Sequence, residues 1–263
     1  MTVFHAICLG IIQGITEFLP VSSSTHLMVF SQLMGLPNQR HSLDIFLNLG
    51  TLAAVSVYFF PDIAGLFRGF CDLIKNKKSE NRNAFFVLFF STLPTVIFFG
   101  IAEAFFDINF QSYILISVSL IFFAIILWRC DTRPEAKDKF TMKDGIIVGT
   151  SQVVSIIPGV SRLGACFSAA RYLHYSRQES FKFSMILSIP VVFGACLIKL
   201  LKVFMGKIII ESWSFVFIGS FFSFVVGLMA LRFMTYFLEK HTFFPFVIYR
   251  IVFAMLLLGI RSK

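Results

Sequence analysis

The chain has 263 residues, of which 57% are hydrophobic and 14% charged, and Phe alone occurs 36 times. A charged fraction of about a quarter is usual for a soluble domain, so that class is excluded, and several apolar runs of about 17–20 residues match the length that crosses a bilayer. The net charge of +9 sits in the segments between the apolar runs, where it serves topology and not nucleic-acid binding.

The chain therefore reads as an all-α polytopic membrane protein, a single integral domain over residues 1–263. The alternating ten-residue strands of a membrane β-barrel are missing. The five cysteines are scattered without a C-x-x-C pair, so neither a disulfide framework nor a thiolate metal site follows. The first apolar run lacks a basic leader and contains Glu17, which argues against a signal peptide.

In chain order, residues 2–19 are apolar but carry Gln13 and Glu17, and Pro20 breaks the helix. A short apolar piece follows at 27–34. Neither piece spans alone, so the pair reads as a re-entrant hairpin, backbone that is tolerated at membrane depth only under a cover of protein or water. A loop is expected from Gly35 to Ser42, a full span over 43–60, and a polar loop over 61–83 carrying Arg68, Lys75, Lys77, Lys78 and Arg82. Residues 84–101 span again, with Pro94 expected as a kink. An acidic turn holds Glu103 and Asp107, and residues 113–128 span back. A basic loop over 129–143 leads to a second broken element, residues 144–158 and 159–173. Spans at 183–200, 213–231 and 244–260 close the chain. The expected total is six transmembrane helices plus two re-entrant helical hairpins.

With segments 61–83, 129–143, 171–182 and 232–241 placed on the cytoplasmic side, fifteen Lys and Arg fall inside and six outside. The positive-inside rule then puts both termini outside. Arg162 and Arg250 lie within apolar segments. An internal repeat runs at an offset of 139, relating Gly10 to Gly149, Gln13 to Gln152, Val21 to Val160 and Ser22 to Ser161. Each copy is a broken element followed by three spans, so the pseudo-repeats, about 1–130 and 140–263, have opposite topology. Inverted repeats place their sites near midplane, where broken helices meet.

The polar residues concentrate at those two breaks. Gln13 and Glu17 share one helix face, then come Pro20, Ser22, Ser23, Ser24, Thr25 and His26. The second break reads P-G-V-S-R-L-G-A, from Pro158 to Ala165, with Gly159, Ser161 and Arg162. Two half-helix N-termini with partial positive charge form an anion-binding arrangement, and Arg162 offers a phosphate two-pronged hydrogen bonds. Each group also has a plainer role. Glu17 and Arg162 are candidates for a structural ion pair, His26 for a hydrogen-bonded interior residue, and the serines for caps. Gln13 and Gln152 are candidates for helix bridges, and Gly10, Gly14, Gly149 and Gly164 for close-packing positions. The convergence of a carboxylate, hydroxyls, a His and an Arg on two related breaks favours a functional site.

The stretch Q-G-I-T-E-F-L-P-V-S-S-S-T-H-L, from Gln13 to Leu27, resembles the signature of the undecaprenyl-diphosphate phosphatase family, the bacitracin-resistance proteins. That family has an (E/Q)-x-x-x-E element followed by P-V-S-S-T-G-H-L, and a second signature, P-G-x-S-R-S-G-A, similar to Pro158–Ala165. The flanks at 46–55 and 183–190 are similar as well, so the resemblance covers essentially the whole chain. Departures are Ser24-Thr25 in place of Thr-Gly, Leu163 in place of Ser, the neutral Gln13, and Asn48 where many members have His or Gln. The phosphatidic-acid-phosphatase type is excluded, because Pro-Ser-Gly-His is absent and Ser168 stands where its second His belongs.

The resemblance implies removal of the terminal phosphate of undecaprenyl diphosphate, a polyprenyl lipid, with a divalent cation, at the outer face of the bacterial plasma membrane. That reaction recycles the lipid carrier for peptidoglycan synthesis and confers bacitracin resistance. On this reading Glu17 holds Mg²⁺ or Ca²⁺, Arg162 offsets developing charge, and Ser23 is the candidate nucleophile with His26 as its base. Attack by His26 itself or by a metal-bound water stays open. Gln13, Ser22, Ser24, Gly159 and Ser161 are expected to contact substrate. The rival class is an inverted-repeat transporter or lipid flippase, whose site would lie in the same place. Assembly into a homo-oligomer stays open.

Overall fold

The computed structural model describes residues 1–36, 41–105, 112–210 and 212–261, and among them it forms no strand. Arg40, Asp107 and Lys263, which the sequence places on the outer side, lie outside the described residues. Thr2 caps α1 (Val3–Glu17) by accepting from the His5 backbone N–H. The helix stops at Phe18, before Pro20, and α2 (Ser23–Leu33) starts beyond the break. The chain continues as α3 (His41–Tyr58), α4 (Phe60–Ile74), α5 (Glu80–Phe105) and α6 (Tyr113–Asp131). The second half opens with α7 (Met142–Gln152) and a 3₁₀ turn at Val153–Ile156. It continues with α8 (Arg162–Tyr172), α9 (Arg177–Phe204), α10 (Trp213–Lys240) and α11 (Phe244–Arg261).

Four helices, α5, α6, α9 and α10, are long and apolar enough to cross a membrane, and the bent pair α3–α4 counts as a fifth if taken as one span. Large apolar side chains on their outer faces stay exposed, Phe217, Phe221 and Met229 of α10 among them. That exposure suits a lipid solvent and would be unfavourable in water.

The sequence expectation fails at α4. Residues 61–83 read as a polar loop, yet Phe60–Ile74 is helical and turns 81° from α3. Pro61 sits in the first turn, where its missing N–H costs nothing. Ile63, Leu66, Phe67, Phe70 and Ile74 recur at helical spacing, so α4 is amphipathic. Phe67 and Ile74 are exposed. The basic residues beyond the helix end hid this period. Elsewhere the apolar windows were too short: α5 begins at Glu80, α9 at Arg177, and α10 runs on to Lys240. Ser176 explains one such boundary, since its hydroxyl caps α9 through the Glu179 N–H, outside the apolar stretch. Pro94 and Pro190 lie inside α5 and α9 without ending them.

Close helix approach depends on glycines in both broken elements. A Cβ on Gly10 would come 2.5 Å from the Gly219 carbonyl oxygen, and one on Gly14 would come 2.9 Å from the backbone of α10. At Gly149 a Cβ would run into the Ser91 carbonyl of α5. Thr95 then donates to the Gly149 carbonyl at 2.8 Å, tying α5 to α7. Thus α1 packs on α10 and α7 on α5, while α3 meets α9 and α6 meets α11.

Candidate active site

Glu17 is the last residue of α1, and the starts of both following half-helices come to it. Ser23, first in α2, donates its hydroxyl to Glu17 Oε2 at 2.6 Å. Arg162, first in α8, donates from Nη2 to Glu17 Oε1 and forms an ion pair with it. Gln13, one turn back on α1, donates to Glu17 Oε2 at 3.1 Å and to Asn48 Oδ1 of α3 at 3.3 Å. The Glu17 and Arg162 side chains are 12% and 23% exposed, so the pair is sheltered but reachable. An ion pair in such a place needs further hydrogen bonds to offset desolvation, and Ser23 and Gln13 supply them to the carboxylate.

The backbone at both breaks is unusual in the same way. Ser22 has φ 70° and Ser161 has φ 64°, left-handed values for two non-glycine residues, and such strain persists only where the surroundings hold it. Ser161 caps α8 as the sequence expects, accepting from the Gly164 N–H at 3.2 Å. Ser22 occupies the same position before α2 but makes no such cap. Its hydroxyl instead pairs with Thr25 at 3.0 Å and Ser24 at 3.4 Å. Ser24 is exposed, and Gly159, with φ +91°, turns its carbonyl to Arg250 at 2.8 Å.

His26 is not bonded to Ser23. Its Nδ1 lies 2.8 Å from the Ser22 carbonyl, and its Nε2 lies 2.6 Å from the Tyr249 hydroxyl of α11. The hydroxyl of Ser23 therefore has Glu17 as its partner, not the expected His26. The reason is geometric: a side chain at the fourth position of a helix reaches back to the carbonyl preceding the first turn, and that carbonyl captures the imidazole.

Sequence reasoning gave Arg250 no role. It is fully buried at 0% exposure, and all its bonds go to backbone carbonyls. Nη1 reaches Pro20 at 3.0 Å and Val160 at 3.3 Å, Nη2 reaches Gly159 at 2.8 Å, and Nε reaches Leu120 at 3.2 Å. One guanidinium thus joins the two helix breaks and α6. Broken helices leave carbonyls without intrahelical donors, and Arg250 satisfies them from α11. A Cβ on Gly164 would come 3.2 Å from Nη1, so the glycine read as a packing position makes room for this side chain. An Arg inside an apolar run was the available signal, because such residues are expensive unless partnered.

Arg171 was counted among the topology-setting cations. Instead it is buried, bonded to the carbonyls of Asp131, Arg133 and Tyr175 and facing the Asp131 carboxylate. Arg177 also binds Asp131, at 2.7 Å, and Asp131 accepts from the Phe243 N–H at 2.8 Å. This charged knot ties the ends of α6 and α8 to the starts of α9 and α11.

No cluster of three or more His, Cys, Asp or Glu suited to a metal occurs among the described residues. One observation does fit a hard cation beside Glu17. Gln13 Oε1 is buried and without a hydrogen-bond partner, and an amide oxygen next to a carboxylate is the donor type that Mg²⁺ and Ca²⁺ use together with substrate phosphates.

Apolar helices with lipid-facing outer surfaces, gathered around a buried carboxylate, hydroxyl and guanidinium at two helix breaks, define a multi-pass helical membrane protein with an internal polar site. The family model described as Bacitracin resistance protein BacA matches residues 6–256, and the chain belongs to that family. A curated relative from Elusimicrobium minutum is 35% identical over 260 residues, covering 98% of both chains. One from Campylobacter curvus is 34% identical over 263 residues, covering 99% of each, and one from Alcanivorax borkumensis is 32% identical over 259 residues, covering 97% of each. All three carry the name undecaprenyl-diphosphatase.

Proposed function

We propose that the chain hydrolyses undecaprenyl diphosphate to undecaprenyl phosphate and inorganic phosphate, and so recycles a lipid carrier for peptidoglycan synthesis and confers bacitracin resistance. The observation that carries this reading is the convergence of Ser23 and Arg162, each the first residue of a half-helix, on Glu17. The family and the names of its relatives agree with it.

In the reaction, Ser23 Oγ attacks the terminal phosphorus and its proton passes to Glu17 Oε2, the atom it already bonds. The bridging P–O bond breaks, undecaprenyl phosphate leaves, and water then releases phosphate from the serine. Arg162 spends Nη2 on Glu17, and its remaining guanidinium N–H groups offset charge on the transferred phosphoryl group. The first-turn N–H groups of α2 and α8 add partial positive charge on either side. Ser22, Ser24, Gly159 and Ser161 line the breaks and shape the phosphate site. Glu17 and Gln13 Oε1 would hold Mg²⁺ or Ca²⁺, and a bound cation supplies charge neutralisation for the diphosphate.

The same reading takes the molecule as an inverted repeat of six spans and two re-entrant hairpins, with the site open to the outer face of the bacterial plasma membrane. Three observations support the repeat. α1 and α7 begin 139 residues apart, and α2 and α8 begin and end 139 apart. The strained serines Ser22 and Ser161 keep that offset. The packing exchanges as a two-fold axis requires, α1 on α10 for α7 on α5, with α3–α9 and α6–α11 pairing across it.

The test is phosphate release from undecaprenyl diphosphate by the purified protein in detergent, where no transmembrane gradient exists. We expect release that Ser23→Ala and Glu17→Gln each lower a hundredfold or more. Transport of lipid in vesicles without release in detergent would favour the transporter reading and overturn this one.

A further inference from the structure

α11 contributes two neighbouring residues to the centre, and the mechanism above uses neither. Arg250 satisfies the carbonyls at the breaks. Tyr249 precedes it, and its hydroxyl lies 2.6 Å from His26 Nε2. We propose that Tyr249 is the positioning residue of His26, holding its imidazole in a single tautomer and a single orientation at the start of α2. The inference rests on the phosphatase reading only for the kcat arm of its test, in which His26 serves the step where water releases phosphate from Ser23.

The tautomer follows from the partners. A backbone carbonyl can only accept, so Nδ1, 2.8 Å from the Ser22 oxygen, carries the hydrogen in the neutral ring. Nε2 then presents its lone pair, and the Tyr249 hydroxyl donates to it. The two ring planes are 12° apart with centroids 5.7 Å apart, so the phenol and the imidazole run nearly parallel as the hydroxyl meets Nε2. Phe253, one turn along α11, stacks on the imidazole with centroids 4.4 Å apart and planes 16° apart. The ring is thus held at both nitrogens and on one face, by two helices 223 residues apart in the chain. If Nε2 takes up a proton, the Tyr249 hydroxyl rotates from donor to acceptor without moving a heavy atom. The clamp therefore keeps the ring in place through a change of charge, with Nε2 the nitrogen at which protons come and go.

Carbethoxylation with diethyl pyrocarbonate, followed by mass spectrometry of the His26 peptide, reads the availability of that nitrogen. The exposed His241 serves as the internal standard. Tyr249→Phe keeps the ring and removes only the hydroxyl. In the wild-type protein His26 should react about tenfold more slowly than His241. In Tyr249→Phe its rate should rise about tenfold, the weight of one lost hydrogen bond. In the same preparation kcat for phosphate release should fall about tenfold, with KM unchanged and the melting temperature lowered by no more than a few degrees. Equal His26 rates in the two proteins, or an unchanged kcat, overturn the proposal. So does a wild-type His26 as reactive as His241, a result that needs no variant to fold. Absence of phosphate release from both proteins defeats the phosphatase reading instead, and the carbethoxylation ratio then decides the clamp by itself.

Discussion

Glu17 has three demands on one carboxylate: it neutralises Arg162, it accepts the Ser23 hydroxyl, and it lies beside an amide oxygen with no donor of its own. Glu17→Gln keeps the shape and removes the charge. It should leave a folded protein whose phosphate release falls a hundredfold or more, since one charge-assisted contact made in the transition state is worth about 3 kcal/mol. Arg162→Lys separates a structural ion pair from a phosphate grip. Lys still neutralises Glu17 but lacks the planar fork. Turnover should therefore fall about as far as in Glu17→Gln while the melting temperature holds, and near-normal turnover would leave Arg162 as a structural partner. Gln13→Leu removes the orphaned oxygen. It should raise the cation concentration giving half-maximal activity by about tenfold and leave kcat at saturating cation close to wild type. An unchanged cation requirement would separate Gln13 from the metal.

At the scale of the element, the two helix breaks are held from outside themselves. Arg250 of α11 is the donor for carbonyls of Pro20, Gly159, Val160 and Leu120. Arg250→Met fills the space and strands the Pro20, Gly159 and Val160 oxygens at the breaks, each at about 1–3 kcal/mol. The expected result is a large drop in thermal stability, with folded yield read by size exclusion. Arg250→Lys should restore only part of it, because an ammonium cannot reach acceptors on three elements. A Met variant as stable as wild type would show that the breaks hold themselves. Gly149 marks the other constraint on these elements. Its missing side chain lets α7 lie against the Ser91 backbone, whereas the Cβ of Gly10 would meet α10.

Over the whole molecule, charge separates into a polar centre and a knot at one end. Asp131 serves Arg171, Arg177 and the Phe243 N–H at once, so Asp131→Asn leaves two cations to share the half-exposed Glu135. We expect it to destabilise by about 3–5 kcal/mol, read as a fall in melting temperature, with the catalytic groups untouched. The proposed orientation rests on the basic residues after α4. Cysteine labelling from outside intact cells should leave Lys77→Cys unmodified, and labelling there would reverse the proposed placement of the site at the outer face.

Much of this was legible in the sequence. Composition determined the membrane class, because lipid tolerates apolar side chains on every outer face. Periodicity and Pro20 determined the first broken element, and the G-x-x-Q…V-S recurrence located its partner at an offset that the helix limits repeat. The same motifs marked Glu17, Ser23, His26 and Arg162 as the polar residues of interest. What tertiary structure alone decided is which of them touch. Ser23 turned to Glu17 and not to His26, His26 was taken up by Tyr249, and Arg250 and Arg171 changed from stray cations into buried supports. Local pattern reports whether a residue can join a helix and which face it takes. The partner of a buried polar group is whichever donor or acceptor the packing brings within about 3 Å, and here those partners come from α1, α2, α8 and α11, which no local period connects.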